Sequence, residues 1–424
     1  MQGSKKYKND GHAWAVSFLC LLLLLAFVLP ASAALIDNER FRLSGFGTVG
    51  LVKGGDDTLG YQRDISQDGV YSGDWSLKSH SLLGLQGDLF LTADLDATLQ
   101  LVAKDRPENS LLDSIEWAYL RYRVNPNLTV RVGRLGVDIF MLSEYRNVGF
   151  AYLWANPPME FYGSIAFDHF DGADIALSTS LGSGTLSAKL FGGRAKNTFS
   201  SREGVIDLDL QPMIGGNLAW ETDNWRLGLA VASVRFDSPL AVVSEIRSYL
   251  DQAAYLGWSE AESISRDLEV EGRKMLYSSA FLTYDSQLWT LTTEIHYIDS
   301  GYKGFPSQLG TYLSLGRRVG PVTLYGIAAL AKSRDHEVIG EVPEYLALLQ
   351  PLKAHIQELF DSAPIDQKTL SFGARWDINA NLALKAQWDH SWVDAYGGAL
   401  WLQREALKDN RILDTFTVNL SFVF

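Results

Sequence analysis

The sequence predicts an all-β chain: a transmembrane antiparallel barrel of about sixteen strands, with short periplasmic turns and long extracellular loops. Three observations carry that prediction. Segments of roughly ten residues alternate polar and apolar positions, the dyad pattern of a strand with lipid on one side and a lumen on the other. The connections between segments alternate short and long. Beyond the N-terminal leader, no apolar run approaches the ~20 residues of a membrane helix.

The leader comes first. Lys5, Lys6 and Lys8 precede an apolar run from Ala13 to Leu29, followed by Pro30 and Ala31-Ser32-Ala33. That is the layout of a secretory signal peptide over residues 1–33, cleaved before Ala34, with an N-terminal membrane anchor as the alternative. Lipoprotein processing does not fit, because Leu19 precedes Cys20 where a small residue is required. Without the three Lys and one Asp of the leader, 37 basic and 50 acidic residues become 34 and 49, a formal charge of −15. Cys20 is the only cysteine, so residues 34–424 hold no disulfide and no cysteine metal site. The acidic balance argues against nucleic acid as a partner.

Candidate strands fall near 41–52, 80–92, 95–105, 113–123, 127–135, 172–181, 184–194, 211–221, 224–236, 273–285, 287–298, 308–317, 320–332, 368–377, 381–394 and 411–424. Short connections such as Ala93-Asp94, Asn125-Pro126 and Gly182-Ser183-Gly184 use tight-turn residues. Long ones occupy 53–79, 106–112, 136–171, 195–210, 237–272, 299–307, 333–367 and 395–410. In the third segment Ala97, Leu99, Leu101 and Ala103 face out while Asp96, Thr98, Gln100 and Lys104 face in. The last segment alternates without a slip: Phe416, Val418, Leu420, Phe422 and Phe424 against Thr415, Thr417, Asn419 and Ser421. Tyr122, Trp220, Trp225, Tyr284, Trp289 and Trp376 sit near the short turns, where an interfacial aromatic girdle belongs. Helical patterns occupy about 242–256 and 343–360 of the long loops, the second with a kink expected at Pro351.

The candidate site lies on the third to fifth segments and the connection that follows. Lys104, Trp117, Tyr119, Arg121, Arg123 and Arg131 share inward parity, and Asp138, Glu144, Glu160 and Asp168 follow in 136–171. Opposed charges in a wet lumen repel ions of one sign and orient dipolar solutes. The alternative is that the arginines only pair with wall carboxylates such as Asp96 and Glu116.

The terminal DTFTVNLSFVF resembles the last strand of bacterial outer-membrane barrels, in which the final Phe, here Phe424, is part of a signal read by the barrel assembly machinery. The inward basic positions and the acidic 136–171 connection are similar in placement to trimeric porins, whose corresponding loop folds into the lumen as a constriction. GRLGVDIFMLSEYRNVGFAYLWANPP resembles the matching segment of porin-like proteins of marine and soil gammaproteobacteria, although the PEFGG-type motif of the general porins is missing. The resemblance spans residues 34–424. It implies an outer membrane of a Gram-negative bacterium, contact with its lipid and lipopolysaccharide, and possible homotrimers. It also implies a water-filled channel for passive diffusion of small hydrophilic solutes and ions. Two alternatives stand beside it: a substrate-selective channel, for siderophores or organic acids, and a surface adhesin or receptor. No enzyme signature is found: G-x-S-x-G, H-E-x-x-H and phosphate-cradling glycine patterns are absent, and no metal site or cofactor is expected.

Overall fold

The computed structural model describes residues 35–424 except 72, 107–111, 166, 202–203 and 334–337; the leader therefore lies outside the described residues. Sixteen long strands close one antiparallel barrel. In chain order they are β1 (Phe41–Lys53), β2 (Leu82–Phe90), β3 (Leu95–Lys104), β4 (Ile115–Asn125), β5 (Leu128–Gly136), β6 (His169–Leu181), β7 (Gly184–Ser201) and β8 (Gly204–Glu221). There follow β9 (Trp225–Phe236), β10 (Lys274–Asp285), β11 (Trp289–Asp299), β12 (Gln308–Val319), β13 (Val322–Ser333), β14 (Ile365–Asn379), β15 (Leu382–Gly398) and β16 (Arg411–Val423). Each pairs with its neighbours in sequence, and β16 returns to β1 from Phe46↔Val423 to Lys53↔Phe416. Closure leaves no unpaired sheet edge, which a lipid environment would not tolerate. Among the described residues no helix is long and apolar enough to cross a membrane.

The alternation places the side chains. Leu120, Val132, Leu190, Leu229, Leu313, Leu324, Phe372 and Val418 are exposed on the outer face. Asp96, Thr98, Gln100, Glu294, Lys385, Gln387 and Asn419 are buried inside. The parity matters because a cation on the lipid face costs about 2–4 kcal/mol at mid-depth. One charge breaks it usefully. A register shift opposite Gln100 and Leu101 puts Glu116, adjacent to inward Trp117, on the lumen side with Lys104.

At the seam two outward glycines of β1 make room for the terminal aromatics. A Cβ on Gly47 would come within 2.5 Å of the Phe422 ring, and the Phe424 ring lies over Gly45 in the same way. Phe424 then exchanges backbone hydrogen bonds with Gly45, 2.9 Å and 2.8 Å, so the terminal residue is buried rather than frayed.

Two connections differ from expectation. The long connection expected over 195–210 is instead paired strand, from Ala195↔Leu210 to Ser201↔Gly204 beyond a shift at Gly193. Its alternation explains this: Ala195 and Leu210 are buried, with Ile206 and Leu208 packed beside them. Nor does Pro351 kink a helix. It sits in the first turn of α4 (Gln350–Ser362), where its missing N–H costs nothing, and the break lies at Leu346 in the preceding turn Glu344–Leu349. The other α-helices among the described residues are α1 (Met159–Tyr162), α2 (Ala241–Tyr255) and α3 (Ser259–Asp267), with α1 and α3 not anticipated. Ile246 and Leu250 of α2, Ile264 of α3 and Ile356 and Phe360 of α4 form a small apolar core above the long-loop rim.

Candidate functional site

The connection from β5 to β6, residues 137–168, folds into the barrel and lies across its lumen. It is apolar where it meets apolar wall: Val137, Ile139, Phe140, Leu142, Trp154 and Phe161 are buried in the main core. Its backbone polar groups need partners, since a buried unpaired N–H or C=O costs as much as a lost hydrogen bond. The wall supplies them. Glu294 on β11 accepts from the Met141 N–H at 2.9 Å, from the Tyr312 hydroxyl at 2.6 Å and from the Tyr162 hydroxyl. The Ser279 hydroxyl of β10 donates to the Ile139 carbonyl at 2.6 Å. Gln387 on β15 accepts from the N–H groups of Ala155 and Asn156, both 3.1 Å. Asn419 on β16 donates to the Ala155 carbonyl at 2.6 Å. Lys385 on β15 donates to the carbonyls of Gly149, Tyr152 and Trp154, and Arg375 on β14 to those of Phe150 and Tyr152, each at 2.8 Å.

The opposite wall grips the loop with ion pairs. Lys104 on β3 lies between Glu116, 2.9 Å away, and Asp168 of the loop. Arg146, inside the loop, reaches Asp168 at 3.2 Å and Asp64 at 3.0 Å, tying the β1–β2 connection into the same network. Lys189 on β7 bridges Asp138 and Glu144, the latter at 2.9 Å. Arg131 on β5 pairs with Asp174 of β6 at 2.6 Å and reaches Glu144 at 3.6 Å, its guanidinium over the Tyr119 ring. Burial alone would push the carboxyls of Asp168 and Glu144 up. Lys104 and Arg146 reverse that for Asp168, and Lys189 and Arg131 for Glu144, so both stay below the usual carboxylate range.

The residues singled out from sequence therefore separate into groups. Lys104, Arg131, Asp138 and Glu144 meet at the loop, with Tyr119 beneath Arg131 and Trp117 against Gly136. Arg121 and Arg123 do not meet it; both are held by the wall carboxylate Asp96, at 2.9 Å and 2.8 Å. Glu160, on α1, turns to the other wall and accepts from Gln367 at 2.6 Å and from Thr369 of β14, and burial pushes its carboxyl up. Arg146, Lys385, Arg375 and Glu294 matter as much. Three have readable inward parity, but nothing in a strand pattern announces that their partners are loop backbone groups.

Two of the cavities beside the loop are large enough for a solute. One, of about 310 Å3, lies toward the short-turn rim and is lined by Asp138, Glu144, Lys189, Asn217 and Arg226. The other, of about 300 Å3, lies beneath α2 and α4 and is walled by apolar side chains. Ile139 lines both.

Solved structures share this architecture. The outer membrane channel DcaP of Acinetobacter baumannii aligns over 93% of this chain and 100% of its own, at TM-score 0.53 and 11% identity. The fold is that of a porin-like barrel. OmpF of Salmonella typhi aligns over 91% of this chain and 97% of its own, at TM-score 0.50 and 12% identity. At such identities the likeness is one of fold. No protein-family model and no curated protein matches the sequence of this porin-like chain.

Proposed function

We propose that the chain is an outer-membrane channel through which small solutes pass by diffusion, and that the 137–168 loop sets what passes. The observation carrying this reading is the loop's double attachment, to cations on β3, β5 and β7 and to hydrogen-bonding groups on β10 to β16. A plug without function would need no charged face; a field across a narrow gap sorts ions and dipolar solutes. The tightness of the attachment favours a substrate-selective channel over a wide general one. Lys104, Arg131, Asp138, Glu144 and Lys189 line the sorting gap, whereas Arg121 and Arg123 shape the field nearer the short-turn rim. Lipid and lipopolysaccharide surround the outer face, Phe424 serves assembly, and the barrel associates as a trimer, which light scattering of the purified protein checks.

Two strand histidines are engaged in packing and pairing. His296 packs against Phe161 and Tyr277, and the neighbouring Glu294 is committed to the loop. His390 pairs with Asp414 at 2.8 Å on the outer face. The test is a planar-bilayer recording with a salt gradient: discrete conductance steps are expected, with a reversal potential that moves toward cation preference in Lys189→Gln. A folded barrel that stays silent at all voltages overturns the channel reading.

A further inference from the structure

The cavity on the long-loop side is built unlike the charged cavity on the short-turn side. Among its described lining residues there is no Asp, Glu, Lys, Arg or His. Its floor is Ile139, Ile165 and Phe167 of the inward loop, and α2 and α4 roof it with Val243, Ile246, Leu359 and Phe360. An ion moved into such surroundings loses hydration and meets no opposite charge among the described lining residues.

The same cavity holds a second peculiarity. Gln62, Ser164 and Gln308 all line it, each more than nine-tenths buried. The Oε1 of Gln62, the Oγ of Ser164 and the Nε2 of Gln308 have no hydrogen-bond partner in the protein. Buried polar atoms are ordinarily satisfied; these three, with the Tyr277 hydroxyl that lines the same space and also has no partner, offer both donors and acceptors to a ligand or water that bonds to them. The volume, about 300 Å3, is in the range of small-molecule sites. It is about twice the ~150 Å3 apolar cavity that accepts benzene, which sets the scale at about two fused rings.

We propose that this chamber is a binding site for an uncharged small molecule with an apolar body and at least one hydrogen-bonding group. The proposal deepens the channel reading by naming the class of solute collected on the long-loop side; it rests on that reading for transport but not for binding. The chamber does not retain charged solutes, which find their partners at Lys189 and Glu144 instead.

Calorimetric titration of the full barrel in lipid nanodiscs, against empty nanodiscs, tests it with three probes of one ring system: 2-naphthol, naphthalene and 2-naphthalenesulfonate. Saturable 2-naphthol binding at one site per barrel is expected. Naphthalene should bind about three- to tenfold more weakly for want of a hydrogen bond, and the sulfonate at least about tenfold more weakly. Ala232→Trp, on β9 in the chamber wall, should abolish binding. Should that variant fail to fold, Leu359→Trp on α4 fills the same space from outside the barrel. No saturable 2-naphthol binding, sulfonate binding as tight as naphthol, naphthalene binding as tight as naphthol, or full binding by a folded filled variant would each overturn the proposal. Binding by a barrel that conducts nothing would retain the chamber and remove the channel; conductance without binding would do the reverse.

Discussion

The two halves of the lumen wall hold one loop by different physics. On β3 to β7 the contacts are ion pairs between side chains: Lys104 with Asp168, Lys189 with Asp138 and Glu144, Arg131 with Glu144. On β10 to β16 many run to the loop's own backbone, at Ile139, Met141, Gly149, Tyr152, Trp154 and Ala155, beside uncharged-donor bonds to the Glu160 side chain and from that of Tyr162. Of the ion pairs, those of Glu144 are half-exposed, screened by water and tolerant of movement. A buried carbonyl that loses its donor has no substitute. The first half is thus the adjustable side of the lumen and the second its anchor.

Cutting the anchor should have the largest effect. In Lys385→Met the buried Gly149 and Trp154 carbonyls lose their side-chain donor, at about 1–3 kcal/mol apiece, while the Tyr152 carbonyl keeps Arg375. The 149–154 segment should detach and single-channel conductance rise several-fold, with little change in ion preference. Unchanged conductance with unchanged hydrogen exchange at 149–155 would refute the anchor. Glu294→Ala should act next most strongly, since it strands the Met141 N–H and two tyrosine hydroxyls at about 1–3 kcal/mol apiece. Faster exchange of the Met141 amide reads this directly.

These anchors also mark the limit of what the sequence reveals. The barrel was legible because a strand's side-chain period is two: the outward Leu99, Leu101, Phe416 and Val418 and the inward Asp96, Thr98 and Asn419 follow from counting. Counting also places Lys385 and Glu294 inside. It cannot say what they touch, because residues 137–168 follow no period and their partners lie more than a hundred positions away, as Glu294 is from Met141. Glu116 shows the same limit locally, since a single register shift decides its face. Arg121 and Arg123 show it energetically: parity gives them a lumen, and Asp96 keeps them from the loop.

On the adjustable side the effects should be smaller. Lys189→Gln removes the bridge to Asp138 and Glu144 without stranding backbone. About 1 kcal/mol or less is lost through the half-exposed Glu144 pair, and the reversal potential moves toward cations while conductance stays within about twofold. Arg123→Gln should do less, because Asp96 keeps Arg121; a reversal-potential shift as large as that of Lys189→Gln would redraw the gap nearer the short-turn rim.

The finest separation of the two halves is by pH, because their loop carboxyls are shifted in opposite directions. Asp168 is buried, yet Lys104 and Arg146 hold its pKa below the ordinary value. Its contribution is present above the unfolded pKa of about 3.9 and drains away as pH falls through and below it. Glu160 is pushed up by burial, against the hydrogen bonds from Thr369 and Gln367. A raised acid favours the folded state fully below the unfolded pKa of about 4.3, and that advantage is lost as pH rises from there through the folded value. Acidification should therefore loosen the loop around Arg146 and Asp168 while tightening it around Glu160, and raising the pH from about 4 should do the opposite at Glu160. Hydrogen exchange of peptides covering 143–148 and 158–163, followed from below to above about pH 4, should show the first loosening as pH falls and the second loosening as pH rises, slopes of opposite sign. Glu160→Gln, which keeps an acceptor for Gln367 and cannot titrate, should flatten the second slope and leave the first. Parallel slopes in both peptides would mean that the loop opens as one unit, and that the division between an adjustable and an anchored wall does not govern its motion.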